Sequence, residues 1–338
     1  MSRTTRLPER EGAALLKRRA FLKLAGSAAA LTTSTNFARS QAFPSQPIHW
    51  ISGFAAGGSA DVIARLVGQF LYERLGQPVI VEHRPGAAGE LALNDVARAT
   101  PDGYSLLWVN SADAINVTFR VAAEANVVRD IAPISGLALF PNVLVIIPSL
   151  PIKTVPEFIA YAKANPGKLN LATAGTGSVV HVAGEFFKMM THVDFAQVPY
   201  KGTAPAVIDL LGGQVQGMFG NLPSVRDHIA SGKLRALAVT TKTRLEELPG
   251  VPALAEFVAG YEVSTWFGVG APRKTPSEVI GKLHSAIGMA LADRRIVERI
   301  GAMGGMPMPM SPDEFGKLIA RDADKWAGVI KYAKIKSR

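Results

Sequence analysis

Two stretches about 120 residues apart share one design: "IHWISGFAAGGSADVIARLV" (48–67) and "KLNLATAGTGSVVHVAGEFFKMM" (168–190). Each opens on a short β-like run, passes through a glycine-rich turn and enters an amphipathic helix. In the first, Val62, Ile63, Leu66, Val67, Phe70 and Leu71 recur at helical spacing. A strand delivered straight into a helix leaves the first-turn N–H groups without intrahelical partners, and the helix dipole favours negative charge there. Glycines at the turn let a ligand come close to the backbone, so the pair of turns suits anion capture. No close sequence repeat links them, and if each sits in its own domain their helix N-termini face one another across a cleft.

The rest of the chain repeats the alternation. "PVIVEHR" (78–84), "YSLLWVN" (104–110), "NVLVIIPS" (142–149), "FAQVPY" (195–200), "VQGMFGN" (215–221) and "KLRALAVTT" (233–241) read as strands between helical patterns, which predicts α/β architecture. Thr154-x-x-Glu157, Thr275-Pro276-x-Glu278 and Ser311-Pro312-x-Glu314 are capping-box spacings, two of them with proline in its preferred first helical position.

Residues 1–42 stand apart. "KRRAFLKLAGSAAALTT" has a basic start and a short apolar run of small residues, followed by Ser40 and Ala42 as a small-x-small cleavage site before Phe43. Arg18-Arg19-Ala20-Phe21-Leu22-Lys23 is similar to a twin-arginine export signal. The mature part is expected in the periplasm, since no later apolar run is long enough for a membrane span. Without the eight basic and two acidic residues of the leader, the formal charge falls from +10 to +4. No Lys/Arg cluster with interleaved aromatics remains, which argues against nucleic acid as a partner. With no cysteine in the chain, disulfides, thiolate metal sites and a cysteine nucleophile are excluded.

Enzyme signatures fail one by one. Gly175-Thr176-Gly177 begins a dinucleotide-binding pattern, but Val180 stands where its third glycine belongs. Neither a P-loop nor a G-x-S-x-G nucleophile elbow occurs. His181 and Glu185 share a helical face, but two ligands make a poor metal site, and His181 reads as a surface or packed histidine. The methionines at 303, 306, 308 and 310 alternate with glycine and proline and read as packing residues rather than a copper tract. The expectation is a protein with no catalytic residues, no cofactor and no metal.

Taken in order, the segments at 48–61, "GQPVIVEHRPGAAG" (76–89), "ATPDGYSLLW" (99–108), "PNVLVIIPSLPIKTV" (141–155), "NPGKLNLATAGTGSVVHVAGEFFK" (165–188), "VPYKGTAPAVIDLLGGQV" (198–215), "NLPS" (221–224), "GKLRALAVTT" (232–241) and "GYEVSTWFGVGAP" (260–272) span nearly all of the mature chain. Together they resemble the Bug-type (Bordetella uptake gene) solute-binding proteins, the extracytoplasmic receptors of tripartite tricarboxylate transporters. The resemblance implies a type II periplasmic-binding-protein fold: two α/β domains with a ligand cleft between them, joined by strands crossing at about 141–148 and 264–271. Domain one would comprise 43–146 and 265–338, and domain two 147–264. The ligand would be a small carboxylate held by loop backbone, hydroxyls and water, for delivery to integral-membrane transporter subunits by a monomeric receptor. A sensing subunit that presents its closed form to a membrane signalling protein is the alternative.

The matching first-domain positions are Phe54, Ala56, Gly57, Gly58, Ser59 and Asp61, with Asn110 and Ser111 at a strand end. Domain two would contribute Thr173, Ala174, Gly175, Thr176, Gly177 and Ser178, then Tyr200, Lys201 and Asn221. Three departures from the family pattern stand out: Ala55-Ala56 replaces prolines before the first glycine pair, Gly220 replaces an aspartate before Asn221, and the leader is of the twin-arginine type.

Overall fold

A computed structural model describes residues 43–53, 56, 59–86, 89–119 and 124–335; the leader at 1–42 and the loop residues Phe54, Gly57 and Gly58 lie outside the described residues. The expected strands form, usually trimmed by a residue or two. β1 (Ile48–Ser52), β2 (Val79–His83) and β3 (Ser105–Asn110) are separated by α1 (Ser59–Leu75) and α2 (Glu90–Arg98). α3 (Ser111–Phe119) and a single helical turn, α4 (Val127–Asp130), lead to β4.

β4 (Ile131–Ile146) is the main surprise, at 16 residues where the sequence suggested a strand only from Asn142. The missed first half, "IAPISGLALFP", carries two prolines and a glycine, which disguise it as loop. Those residues are tolerated because pairing with the partner strand shifts register twice there, between Pro133 and Ser135 and between Gly136 and Ala138.

After β4 come α5 (Val155–Ala164), β5 (Asn170–Thr173), α6 (Val179–Thr191), β6 (Ala196–Pro199), α7 (Thr203–Leu211), β7 (Gly217–Asn221), α8 (Leu222–Ala230) and β8 (Arg235–Val239). The chain then returns through β9 (Ser264–Pro272) and closes with α9 (Ser277–Ala292), α10 (Arg294–Ala302), the short β10 (Met306–Pro307) and α11 (Pro312–Ala333).

The strands pair in the order β2-β1-β3-β9-β4-β7-β5-β6, with β8 and β10 also on β4. β1, β2 and β3 are parallel, as are β5, β6 and β7, while β9 is antiparallel to both β3 and β4. One set therefore reads β2-β1-β3-β9-β4 and the other β6-β5-β7-β4-β8. The order is the same in both, with one antiparallel strand inserted fourth. β4 serves both sets: Ile131–Pro141 pairs with β9, and Asn142–Ile146 with β7 and β8.

Within each set the strands run into helices at their C-terminal ends, where clefts form in open α/β sheets. The apolar alternation expected of α1 is met, with Ile63, Val67 and Leu71 fully buried. α11 buries Phe315, Ile319, Asp322, Ala323, Trp326, Val329 and Ile330 along one stripe and packs on α3, α6 and β4. The acid in that stripe is matched: Trp266 Nε1 donates to Asp322 Oδ2 at 2.7 Å, and Lys325 Nζ lies 3.2 Å from Asp322 Oδ1. Gly268 on β9 is what lets α11 sit so close, since a Cβ there would collide with the Phe315 ring and lie 2.7 Å from Ser135 O. Met308 and Met310 pack against the main core, as their spacing among glycines and prolines suggested.

The capping boxes divide. Ser311 and Glu314 form the full reciprocal box. Thr154 caps α5, but Glu157 Oε2 accepts from Lys153 N instead of from the cap residue. Thr275 forms no cap: its hydroxyl donates to Pro272 O at 2.8 Å, and α9 starts two residues later. The carbonyl at the end of β9 outcompetes the helix for that hydroxyl.

Candidate functional site: a cleft ringed by helix N-termini

Five helices begin around one cavity of about 510 Å³, a size suited to a small organic molecule. Ala56 and Ala60 belong to the start of α1; Asn110, Ser111 and Ala112 to the start of α3; Ser178, Val179 and Val180 to the start of α6. Thr203 is the first residue of α7, Asn221 precedes α8, and Thr265 and Phe267 of β9 complete the lining. No lysine, arginine or histidine lines the cavity among the described residues. Positive potential here comes from backbone N–H groups at the helix ends, foremost those of α6, α7 and α8, which carry no acid in the first turn. The caps of α7 and α8, Gly202 and Asn221, make no side-chain cap bond to their helices.

Each site group is held by local chemistry. Asn110 is spent on its own helix: Oδ1 accepts from Ala112 N at 2.8 Å, and Nδ2 donates to Asp113 Oδ2 at 2.8 Å. Asp113 Oδ2 also accepts from Asn110 N. Burial pushes the Asp113 carboxyl up to about 7, against the opposing pull of the Asn110 backbone bond. Ser111 differs from both. It is 1% exposed and lines the cavity, yet its Oγ has no hydrogen-bond partner among the described residues. Buried hydroxyls are seldom left unpaired, and this one belongs to the lining of the cavity.

On the other side the glycine turn closes on itself. Gly175 and Gly177 adopt φ of +116° and +80°, which a side chain would resist. Ser178 Oγ donates to Gly175 O at 2.7 Å and accepts from His181 N at 3.2 Å, capping α6. His181 Nδ1 in turn accepts from Gly177 N at 3.2 Å, and burial holds its pKa below the usual value. His181 is therefore a packed residue of the turn. Asn221 Oδ1 accepts from the fully buried Asn142 Nδ2 at 3.1 Å, which leaves the Asn221 amide N–H groups as the donors it offers the cavity.

Of the positions marked by sequence, Ala56, Asn110, Ser111, Ala174, Ser178 and Asn221 line the cavity together. Ser59 begins α1 and Asp61 lies buried in its first turn, paired with Arg65 Nε at 2.8 Å and His83 Nε2 at 3.0 Å. Thr173 is buried behind the turn, its hydroxyl accepting from Gly175 N at 3.4 Å. Gly175, Thr176 and Gly177 form the turn itself without lining the cavity. Tyr200 turns away, donating its hydroxyl to Asp209 Oδ2 at 2.7 Å, and Lys201 is exposed. Thr203, Thr265 and Phe267 were not marked, although all three lie in segments carrying the family resemblance. For Thr203 a signal existed: Gly202-Thr203 repeats the strand-glycine-helix design a third time.

The chain from residue 63 to 335 matches the family described as the tripartite tricarboxylate transporter family receptor. Protein BugT of Bordetella pertussis (strain Tohama I) is 38% identical over 316 residues, covering 92% of this chain and 94% of that protein. Among solved structures, R. palustris Rpa4515 with adipate superposes with a TM-score of 0.75 at 32% identity, covering 88% of this chain and 100% of its own. MatC (Rpa3494) from Rhodopseudomonas palustris with bound malate gives 0.71 at 30% identity, covering 85% and 100%. The α/β fold is that of periplasmic solute-binding proteins of this type. Among the described residues no helix is long and apolar enough to cross a membrane.

Proposed function

The chain belongs to the tripartite tricarboxylate transporter receptor family, and on that premise we propose that it captures a small organic carboxylate in the cleft and delivers it to membrane transporter subunits. The observation that carries the reading is the convergence of five helix N-termini on a cavity whose described lining has no cationic side chain and one unpartnered buried hydroxyl, Ser111 Oγ. Backbone N–H groups, hydroxyls and water bind an anion without a salt bridge, which suits capture followed by release. Relatives solved with adipate and with malate hold ligands of this class.

In this reading the contacts come from Ala56, Ser111, Ala174, Ser178, Thr203, Asn221 and Thr265. Residues 43–146 with 265–338 and residues 147–264 act as two lobes, each built on one strand set, with the Asn142–Ile146 end of β4 pairing into the second. They hinge where β4 and β9 cross, so that occupancy becomes a shape a membrane partner reads. The leader at 1–42 directs folded export to the periplasm, the receptor works as a monomer, and no bond is made or broken.

The test is a thermal-shift screen of the mature chain, refolded to strip carried-over ligand, against small mono-, di- and tricarboxylates. A ligand at a hundred times its Kd adds about 2.7 kcal/mol of stability. A concentration-dependent rise in Tm for a subset of acids is the expected result. Silence across the whole panel overturns the carboxylate reading.

A further inference from the structure

The helix ends around the cleft are not electrostatically alike. On the side built from β1 and β3, both helices carry an acid in the first turn: Asp61 in α1 and Asp113 in α3. On the other side α6, α7 and α8 carry none. Asp61 shares its charge with Arg65 and His83. Asp113 is different: buried, bonded only to Asn110 N and Nδ2, with no cation in ion-pair range among the described residues.

A helix N-terminus is worth roughly half a positive charge, so one full carboxylate more than cancels it. With Asp113 ionised, the wall next to Asn110, Ser111 and Ala112 therefore repels an anion, while the wall next to Ser178, Thr203 and Asn221 attracts one. On the repelling wall sits the unpartnered Ser111 hydroxyl, which pairs well with an uncharged polar atom. The lining also includes the apolar Ala60, Val179 and Phe267.

We propose that Asp113 sets the specificity of this receptor for acids with one carboxylate, held by the N-termini of α6, α7 and α8, and an uncharged hydroxyl-bearing far end at Ser111. A second carboxylate at that end is rejected by the charge of Asp113, buried behind the Asn110–Ala112 wall, a use of repulsion to discriminate. The proposal rests on the receptor reading above and narrows it to a ligand class. Since burial raises the Asp113 carboxyl to about 7, the discrimination is strongest above neutral pH.

The experiment is isothermal titration of the mature chain at pH 8 with 6-hydroxyhexanoate, hexanoate and adipate, three acids of equal chain length. The expected order is hydroxyhexanoate, then hexanoate, then adipate, with at least a tenfold gap between first and last. The Asp113→Asn variant should narrow that gap at least threefold. Ser111→Ala should shrink the advantage of hydroxyhexanoate over hexanoate, a ratio that a general loss of stability does not move. Adipate binding as tightly as hydroxyhexanoate overturns the proposal and leaves the receptor reading standing, and this wild-type comparison decides even if a variant fails to fold. A normal wild-type order that Asp113→Asn leaves unchanged, in a folded variant, overturns the role of Asp113. Failure of all three acids, together with silence in the wider carboxylate screen, brings down the receptor reading itself.

Discussion

Asn142 Nδ2 donates to Asn221 Oδ1 at 3.1 Å, so a residue buried in the crossing strand orients a side chain of the cleft. The same amide donates to Phe219 O, and Asn142 Oδ1 accepts from Thr265 Oγ1, another cleft residue. Two polar groups reaching the cavity from β7 and β9 are thus set by one carboxamide at 0% exposure.

Asn142→Ala takes a partner from the buried Phe219 carbonyl and from the half-buried Asn221 and Thr265 side chains. Loss of such a network should cost about 2–3 kcal/mol of stability. Urea denaturation measures it, and titration of the variant with the best acid of the screen should show weaker binding even where the fold is intact.

Asp113 predicts a pH-dependent stability. Its folded pKa, raised by burial to about 7, exceeds the ordinary value of 3.8, so the folded state holds this proton more tightly than the unfolded chain. That contribution is fully present below about 3.8 and is lost as pH rises to about 7. Wild type should lose stability relative to Asp113→Asn across that window, by up to about 4 kcal/mol. Paired denaturation curves at pH 4, 6 and 8 check the trend, and a constant difference between the two proteins would contradict it.

His181 predicts the opposite slope. Its pKa is lowered by burial below 6.5, and Nδ1 must stay unprotonated to accept from Gly177 N. Protonation favours the unfolded chain, so stability is retained above about 6.5 and lost as pH falls below it. His181→Asn supplies a non-titrating acceptor, and its stability should be flatter than that of wild type between pH 6.5 and 5.

Gly268→Ala places a methyl group against the Phe315 ring and 2.7 Å from Ser135 O. The backbone carbonyl cannot yield as a side chain can, so the cost should reach about 3 kcal/mol. Thermal melting measures it, and near-UV circular dichroism should report the disturbed Trp266–Phe315 contact, an edge-on pair 5.6 Å apart.

What was legible in sequence was local. The turn at Gly175–Ser178 announced itself because glycine and an N-cap serine act within a few residues of one another. The strands were legible because β-branched runs need no distant partner to be noticed. Thr265 and Phe267 were not marked because they reach the cleft only when β9 returns between β3 and β4. Tyr200 carried a family position, yet nothing in its neighbours told that Asp209 would claim its hydroxyl. Thr275 had the right spacing for a cap, and a carbonyl three residues upstream took the bond instead. The charge asymmetry of the cleft was equally hidden, since Asp113 matters through burial and the absence of a cation in range among the described residues, which no spacing encodes.

The place of β9 also sets a timetable. It lies between β3 and β4, yet it leaves the ribosome about 150 residues after β3. At roughly 5–20 residues per second, the edge of β3 waits about 8–30 s of synthesis for its partner, and the first half of β4 waits slightly less. The segment from β5 to β8 has by then been made and has β4 to build on. The set β6-β5-β7-β4-β8 therefore has all its strands available before the set β2-β1-β3-β9-β4 does, and the waiting β3 edge is a place for unwanted pairing.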